Sequence, residues 1–255
     1  MNHSAENSSE ATRTLDPSEV QRFARIASEW WDPNGKFRPL HLLGPARLAF
    51  IRARLVAHFE RAGEDMRPLA GLRILDIGCG GGLVCEPVSR MGASITGIDP
   101  AAENVEAARA HASAHGLAID YRATTVETLV EEGASFDAVL CLEVVEHVPD
   151  PAAFLALCAK LVRPGGLLVT STINRTVKSY MLAIVGAEYV LRWLPVGTHQ
   201  WERFVTPDEM IRHLVAAGLA RPRLEGLIYE ILADRWSLGA DTDVNYMAAA
   251  AKPAA

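Results

Sequence analysis

The sequence contains no apolar run long enough to cross a membrane. A spanning helix needs roughly 18 predominantly apolar residues. Segment 180–193, YMLAIVGAEYVLRW, is strongly apolar, but its longest uncharged stretch runs only from 179 to 187. The segment therefore cannot span a bilayer and needs another explanation.

Basic clusters and secretion signals are also missing. No basic cluster exceeds a pair, and the net charge is -6. Nucleic acid is therefore excluded as the main partner, because phosphate binding needs a basic face. Residues 1–14 lack a basic stretch followed by an apolar one, so they predict a disordered polar leader rather than a signal peptide. Residues 248–255, AAAAKPAA, are of low complexity and predict a frayed end.

Cysteines are few and show no metal or redox spacing. The four are Cys79, Cys85, Cys141 and Cys158, and none belongs to a C-x-x-C pair. With no signal for an oxidising compartment, we expect reduced thiols in the core rather than disulfides or zinc ligands.

Short apolar strands alternate with helices from residue 72 onward. Strands are predicted at 72–77, 94–99, 119–124, 136–142, 167–173 and 226–232, with helices at 84–91, 103–115, 151–162 and 206–219. This alternation predicts an α/β fold with a parallel sheet covered by helices on both faces, in one domain over 15–247. Ligands of such sheets bind beyond the carboxyl ends of the strands.

Two helices are expected before the sheet. Asp16 and Pro17 are typical of a helix start, and Glu19 can close a capping box there. Apolar residues at helical spacing then follow, from Val20 to the Trp30–Trp31 pair. A second helix is predicted from about Pro45 to Arg61.

A glycine loop follows the first strand and an acidic residue ends the second. Asp76 stands two residues before Gly78 in the spacing G-x-G-G-G, and Asp99 can accept two ribose hydroxyls. A carboxylate at Asp76 would repel pyrophosphate, so the loop favours a cationic ligand such as the aminoacyl end of S-adenosylmethionine. A nicotinamide site and a purely structural turn remain as alternatives.

Several segments together resemble one methyltransferase family. LDIGCGGG, TGID, CLEVVEHVPDP, LVRPGG, NRTVKSYMLAIVGAEYVLR, GTH and DVNYM are similar to the ubiquinone biosynthesis O-methyltransferases, from about Phe23 to Met247. The resemblance implies the class I, Rossmann-like fold with a seven-stranded sheet and an apolar insertion after the fifth strand. It also implies methylation of phenolic hydroxyls on polyprenylated phenols and catechols at two steps, and other enzymes of that pathway as partners.

The same resemblance implies the residues of a cofactor site. They are Gly78 and Gly80 in the loop, Asp99 on the ribose, Leu142 beside the adenine and Arg47 from the N-terminal helices, in addition to Asp76. For Arg47 the residues alone would equally indicate a solvated side chain on a helix.

The segment after the fourth strand, EVVEHVPDP, carries the candidate catalytic groups. A phenol is a weak nucleophile until it loses its proton, so the site needs a base or a metal. If the chain is helical there, Glu143, Glu146 and His147 share one face and could hold a divalent ion such as Mg²⁺, which the family resemblance favours. His147 could instead act alone as general base, or all three could be structural. His199 is a second candidate base.

The apolar segment lies within an insertion, residues 174–204. One alternative is that the segment forms a buried core helix. Glu188 and Arg192 form one polar stripe, while the other side presents a broad apolar face made of Met181, Leu182, Val185, Tyr189 and Trp193. Lys178 and Arg192 flank this face, as in a helix that lies on anionic lipid. We therefore expect residues 178–194 to form the substrate-tail pocket and a reversible membrane contact, with the protein cytoplasmic and bound peripherally to the inner face of the membrane.

Two other functions are compatible with parts of this pattern. One is a membrane-associated binding protein that has lost catalysis, against which the intact glycine loop argues. The other is an O-methyltransferase of a non-prenylated catechol, which would have no need of the apolar insertion.

Overall fold

The computed structural model describes residues 15–182 and 200–254. The predicted leader at 1–14 lies outside these residues. So does most of the apolar segment, including Val185, Glu188, Tyr189, Arg192, Trp193 and His199.

The N-terminal region is helical as predicted, with different boundaries. Helix α1 spans Pro17–Ala24, and the side chain of Asp16 caps it by accepting a hydrogen bond from the backbone N–H of Ser18. A 3-10 turn at Ala27–Glu29 follows. Helix α2 spans Arg38–His58, so the predicted start at Pro45 is wrong. Pro39 occupies its first turn, where a missing N–H costs nothing, and Pro45 is accommodated inside the helix.

Eight strands form one sheet within the described part of the chain. They are β1 Arg73–Ile77, β2 Ser94–Asp99, β3 Asp120–Ala123, β4 Phe136–Leu142, β5 Val162–Ile173, β6 Arg223–Glu230, β7 Arg235–Gly239 and β8 Asn245–Ala251. Their order is β3-β2-β1-β4-β5-β8-β6-β7. Strands β1 to β5 pair in parallel, and β8 is antiparallel to both of its neighbours. The mostly parallel α/β sheet is thus confirmed, with the strand order changing direction between β1 and β4.

Helices cover both faces of this sheet. After α2 they are α3 Cys85–Arg90, α4 Ala102–Ala114, α5 Val126–Glu131, α6 Pro151–Leu161, a single turn α7 Val177–Ser179, and α8 Pro207–Ala216. Alternate residues of a strand pack into two separate cores, one on each face of the sheet, because successive side chains point to opposite faces. Ile74 packs with α2, α3 and α4 on one face, whereas Leu75 packs with α5, α6 and α8 on the other.

Two predictions about the C-terminal region need correction. The sheet has eight strands instead of seven, because β7 adds an edge strand that the sequence pattern did not reveal. The frayed end predicted at 248–255 is wrong for 248–251, which belong to β8 and pair with β5 and β6. Ala248 and Ala250 are fully buried. Backbone pairing on both sides holds this alanine run in place, although its composition alone suggested disorder.

The described start of the insertion is a capped turn with exposed apolar side chains. Thr176 caps α7 through a capping box with Ser179. Val177, Tyr180, Met181 and Leu182 are each 45% or more exposed. Lys178 pairs with Asp241 at 2.5 Å and Asp243 at 3.3 Å, and its side chain is 45% exposed. Within 15–182 and 200–254, no helix has the length and apolar character of a membrane span.

Candidate cofactor and active site

A cavity of about 260 Å³ opens at the carboxyl ends of β1, β2 and β4. It is lined by every site residue that the sequence singled out within the described chain: Arg47, Asp76, Gly78, Gly80, Asp99, Leu142, Glu143, Glu146 and His147. The parallel sheet explains why the residues that follow its strands lie together, because the carboxyl ends of parallel strands lie at one edge of the sheet.

The glycine loop needs its glycines for two reasons. Gly78 and Gly80 have positive φ angles of 69° and 51°, which glycine adopts without a steric penalty. A Cβ on Gly78 would lie 2.6 Å from Val144, and one on Gly80 would lie 2.4 Å from the ring of Trp30. The loop is therefore built for close approach of other groups to its backbone.

Asp99 ends β2 and is fixed by three donors. Its carboxylate accepts hydrogen bonds from the backbone N–H of Gly80 at 3.1 Å, that of Ala101 at 2.9 Å, and the amide of Asn104 at 3.1 Å. Burial raises the pKa of Asp99, and these hydrogen bonds oppose part of that rise. The acid is held rigidly beside the glycine loop, at the position predicted for ribose recognition.

Asp76 and Arg47 are both buried in the wall of the cavity, and the charge of each acts on the other. Asp76 accepts a hydrogen bond from the Cys85 thiol at 3.2 Å. Burial raises its pKa to about 7, although that hydrogen bond and the charge of Arg47 both lower it. Burial lowers the pKa of Arg47, while the charges of Glu143 and Asp76 raise it.

One donor of Arg47 has no partner, although the residue is only 4% exposed. Its Nη2 donates to the carbonyl of Leu40 at 3.4 Å, but its Nε is buried without a hydrogen bond. Native structures rarely leave such a donor unsatisfied. A zwitterion fits this arrangement, with its carboxylate near Arg47 and its ammonium near Asp76.

Glu143 and Glu146 follow the end of β4 at Leu142, and their side chains contact each other. Glu143 has a positive φ of 54° and accepts a hydrogen bond from the Ser171 hydroxyl at 2.6 Å. Glu146 is 4% exposed. Burial, and then the charge of Glu143, raise the pKa of Glu146 well above its usual range. Glu146 therefore favours its neutral, protonated form beside the charge of Glu143.

His147 lies on the other side of the cavity, against helix α1. Its Nδ1 is 2.9 Å from Oε2 of Glu19, and its ring is edge-on to Phe23 at 5.5 Å between centroids. Burial alone would raise the pKa of Glu19, but the hydrogen bond and charge of His147, with the charge of Arg22, lower it overall.

The helix that would place Glu143, Glu146 and His147 on one face does not form. Only Val145–His147 is helical, as a 3-10 turn. Glu146 is directed toward Thr172 of β5 and His147 toward Glu19 of α1, so the three groups do not fit a common metal ion as they lie. Across residues 15–182 and 200–254, the one trio of ligand atoms within 4.8 Å of one another is Glu86, His111 and His115. There, Glu86 and His111 already share a hydrogen bond of 2.6 Å.

The sequence did not predict that the N-terminal segment covers the cavity. Trp30 lies on the glycine loop and donates to Asn104 at 2.8 Å, and Trp31 donates to the carbonyl of Gly81 at 2.9 Å. Trp31 also stacks on His111 with 3.4 Å between ring centroids. The adjacent tryptophans were the available signal, because a tryptophan ring buries a large apolar area while its N–H needs a hydrogen-bond partner. Glu19 gave no signal beyond helix capping.

Comparison with known proteins identifies the family. A model described as "Methyltransferase domain" matches residues 75–170. The chain is 56% identical to the ubiquinone biosynthesis O-methyltransferase of Chelativorans sp. (strain BNC1) over 96% of this chain and 98% of the relative. It is 55% identical to the protein of that name from Rhodopseudomonas palustris (strain BisB18), over 96% of each chain.

Solved structures share the fold at low sequence identity. Magnesium protoporphyrin IX methyltransferase from Synechocystis PCC 6803, crystallised with bound SAH, matches with a TM-score of 0.62 and 19% identity over 96% of this chain and 98% of that one. A SAM-dependent methyltransferase from Thermotoga maritima, a possible histamine N-methyltransferase, matches with a TM-score of 0.61 and 18% identity over 92% and 99%. These likenesses confirm the class I methyltransferase fold. The chain belongs, as its glycine loop, insertion and DVNYM segment predicted, to the ubiquinone biosynthesis O-methyltransferase family of enzymes.

Proposed function

We propose that this enzyme transfers the methyl group of S-adenosylmethionine to a phenolic hydroxyl of polyprenylated phenol and catechol intermediates, at both O-methylation steps of ubiquinone synthesis. The family name of relatives at more than half identity supports the reaction class and the polyprenylated substrate. The observation in this chain that carries the proposal is the presence of the buried Arg47 and Asp76 together in the lining of a cavity beside the glycine loop, with Arg47 Nε buried and unpartnered.

Different residues of the cavity match different groups of the cofactor. Arg47 would hold its α-carboxylate and Asp76 its ammonium group, since each buried charge gains a partner of opposite sign. Asp99 would accept from the ribose, Leu142 would pack against the adenine, and the Gly78 and Gly80 backbone would leave room for both. When bound, S-adenosylmethionine supplies an electrophilic methyl group on a sulfonium.

The remaining residues of the cavity would prepare the phenol. His147 would take the phenolic proton on its imidazole, which leaves a phenolate in line with the methyl carbon. Trp30 and Phe37, stacked 3.7 Å apart, would exclude water from the reacting groups. A metal site at Glu143, Glu146 and His147 remains a prediction, because these side chains would have to turn toward one another.

The insertion would bring the enzyme to its substrate at the membrane. A polyprenyl tail resides in the bilayer, and the exposed Val177, Tyr180, Met181 and Leu182 offer an apolar start to such a contact. The pairing of Lys178 with Asp241 and Asp243 takes away one of the charges expected to meet anionic lipid. The proposed contact therefore depends on apolar side chains, with the enzyme at the inner face of the membrane beside other enzymes of the same synthesis.

A methyl-transfer assay tests the proposed function. Purified enzyme is incubated with S-adenosylmethionine labelled in its methyl group and with a prenylated or an unprenylated catechol, with and without chelator. We expect labelled methyl ether from the prenylated catechol at a kcat/KM at least about tenfold higher, since a buried tail contributes about 0.8 kcal/mol per CH₂.

Each arm of this assay has an outcome that contradicts part of the proposal. Equal rates on the two catechols would exclude a role for the tail. Absence of any labelled ether, with S-adenosylmethionine bound, would exclude the activity. Full activity after exhaustive chelation would exclude the metal interpretation of Glu143, Glu146 and His147.

A further inference from the structure

We propose that Glu86, His111 and His115 form a binding site for a divalent transition-metal ion such as Zn²⁺, which joins helix α3 to helix α4. None of these three side chains lines the cofactor cavity. The site is therefore separate from the metal site predicted after β4, and the inference goes beyond the proposed methyl transfer.

Two of the three ligands come from one face of α4. His111 lies in the last turn of this helix, and His115 caps its end four residues later. Side chains at that spacing lie over one another, and the two ring centroids are 4.1 Å apart. Histidine pairs with this spacing on a helix bind zinc in known metal sites, because imidazole nitrogen suits zinc, copper and nickel ions.

The third ligand comes from α3 and is fully buried. Glu86 lies in the first turn of α3, and its side chain is 0% exposed. Its Oε1 lies 2.6 Å from Nδ1 of His111. Its Oε2 is 3.3 Å from Arg90, whose side chain is 52% exposed. Because a buried carboxylate needs compensating charge, a divalent ion at Oε1 would stabilise Glu86 where it lies.

The spacing of the ligand atoms is close to what one ion requires. One ligand atom from each of the three side chains lies within 4.8 Å of the other two. Two ligand atoms on a tetrahedral zinc ion, each about 2.0–2.1 Å from the metal, lie roughly 3.3 Å apart, so shifts of up to about 1.5 Å close the site. His115 is exposed and can make such a shift by rotation of its side chain. Water would complete the coordination.

Neighbouring groups hold both rings without blocking metal binding. Trp31 stacks on the face of His111 with 3.4 Å between ring centroids and an interplanar angle of 3°, whereas a metal ion binds in the plane of the ring. Nδ1 of His115 donates to the backbone carbonyl of His111 at 2.8 Å. Since a carbonyl oxygen only accepts, Nε2 is the nitrogen of His115 that serves as the ligand. Contacts of this kind orient the histidines of metal sites.

Binding of the ion would replace the hydrogen bond between His111 and Glu86. The hydrogen between Nδ1 and Oε1 leaves to water as a proton, because both atoms must offer lone pairs to the metal. The two charges of the ion then meet one carboxylate and two neutral imidazoles. The charge of Arg90 opposes the ion, but solvent screens this half-exposed side chain.

An ion between α3 and α4 would strengthen the frame of the cofactor cavity without entering it. Helix α4 also carries Asn104, which donates to Asp99. Trp31, stacked on His111, donates to the carbonyl of Gly81 in the glycine loop. The proposed site therefore holds a helix and a covering side chain that both contact the cofactor site.

The test is equilibrium dialysis of full-length, untagged, chelator-treated enzyme against Zn²⁺, with bound metal and melting temperature as the readouts. His115→Gln removes the exposed ligand, and Glu86→Gln removes the buried one. His213→Gln is the matched control, because His213 lies in the last turn of α8 and does not belong to the trio. His147→Gln removes a ligand of the other predicted metal site.

We expect the wild type to bind Zn²⁺ and its melting temperature to rise by about 5–10 °C at a zinc concentration about 100 times the Kd. His115→Gln and Glu86→Gln should each weaken the Kd of this site at least about tenfold and lower the rise by about half or more. His213→Gln should match the wild type, and His147→Gln should keep the site. Mg²⁺ should not bind here, since it prefers oxygen ligands.

Three outcomes would overturn the inference. They are no zinc bound by the wild type, the same zinc Kd in His115→Gln and His213→Gln, and loss of all zinc binding in His147→Gln. If Glu86→Gln does not fold, His115→Gln decides alone. Neither readout depends on methyl transfer, so a failure of the proposed function would leave this test intact.

Discussion

The hydroxyl of Thr172 donates a hydrogen bond of 2.8 Å to Oε2 of the buried Glu146. Thr172 lies on β5 and Glu146 in the turn after β4, so the bond connects the candidate catalytic segment to the sheet. Since Glu146 also contacts Glu143, this hydroxyl supports a carboxyl pair that burial would otherwise disfavour.

Replacement of Thr172 by valine should destabilise the protein by about 1–3 kcal/mol, because a buried acceptor loses its donor while the shape is kept. Thr170→Val is the matched control. Thr170 is equally buried on the same strand, but its hydroxyl contacts only the weakly accepting Met210 sulfur at 3.6 Å. Urea unfolding measures both variants, and equal losses of unfolding free energy would contradict a specific role for the Thr172 hydrogen bond.

Replacement of Arg47 by alanine should weaken S-adenosylmethionine binding by at least about 30-fold, the equivalent of about 2 kcal/mol for one half of a buried charge pair. The physical reason is the loss of the donor proposed for the cofactor carboxylate. Calorimetric titration measures the Kd. Arg52→Ala, on the same helix but outside the cavity, is the control, and an equal effect in the two variants would exclude Arg47 as a cofactor contact.

The raised pKa of Asp76 predicts how stability depends on pH. Its carboxyl has a pKa of about 7 in the folded protein, against an ordinary value of 3.8 for aspartic acid. Between about pH 4 and pH 7 the folded state therefore binds more protons than the unfolded state, and the free energy of unfolding falls as pH rises. Above that window the contribution is constant.

An Asp76→Asn variant lacks this titration and isolates the effect. Without cofactor, its unfolding free energy minus that of the wild type should rise from about pH 4 to about pH 7 by an amount on the order of 4 kcal/mol, then level off. Denaturant unfolding across this range measures the difference. A difference that does not vary with pH would show that Asp76 is ionised throughout.

Gly80→Ala should lower both stability and cofactor affinity. A second variant, Gly116→Ala, separates the effect of backbone strain from that of the contact with Trp30. Gly80 and Gly116 both have positive φ, 51° and 68°, so alanine is strained at either position. A Cβ on Gly80 also meets Trp30 at 2.4 Å, whereas one on Gly116 meets nothing within 4 Å. We expect Gly80→Ala to cost about 1–3 kcal/mol more stability and at least about tenfold in cofactor affinity. Equal melting temperatures for the two variants would argue against a tight contact between Trp30 and the loop.

The proposed membrane contact predicts a position-specific loss of lipid binding. Met181→Ser with Leu182→Ser should reduce flotation with anionic liposomes at least about tenfold, because burial of each apolar side chain contributes about 1.5–3 kcal/mol. Ile231→Ser with Leu232→Ser is the control, since these residues are even more exposed but follow β6 in the chain and do not belong to the insertion. Equal flotation of both double variants would exclude the insertion as the lipid-binding surface.

Prediction from sequence succeeded where a local pattern carries the information. Strand β4 was predicted with its observed ends, and β2 likewise, because each is a short apolar run between clear breaks. Strand β8 was missed, since its alanine run has no periodic pattern and becomes a strand only between two pairing partners. Helix α2 was predicted too short, because Pro45 reads as a helix start and the structure accommodates it inside.

The sequence by itself determined the α/β fold, the family, and a site where Asp76, Asp99, Leu142 and His147 meet, because parallel strands bring their carboxyl ends to one edge. Only the tertiary structure decided what each group contacts there. Glu19 faces His147 across 128 positions of chain, and the charge of Arg47, on a helix outside the sheet, acts on Asp76. Such contacts depend on how separate elements pack against one another. Because burial of an unpaired charge is costly, this packing is determined by the whole molecule and cannot be read from the local spacing of residues.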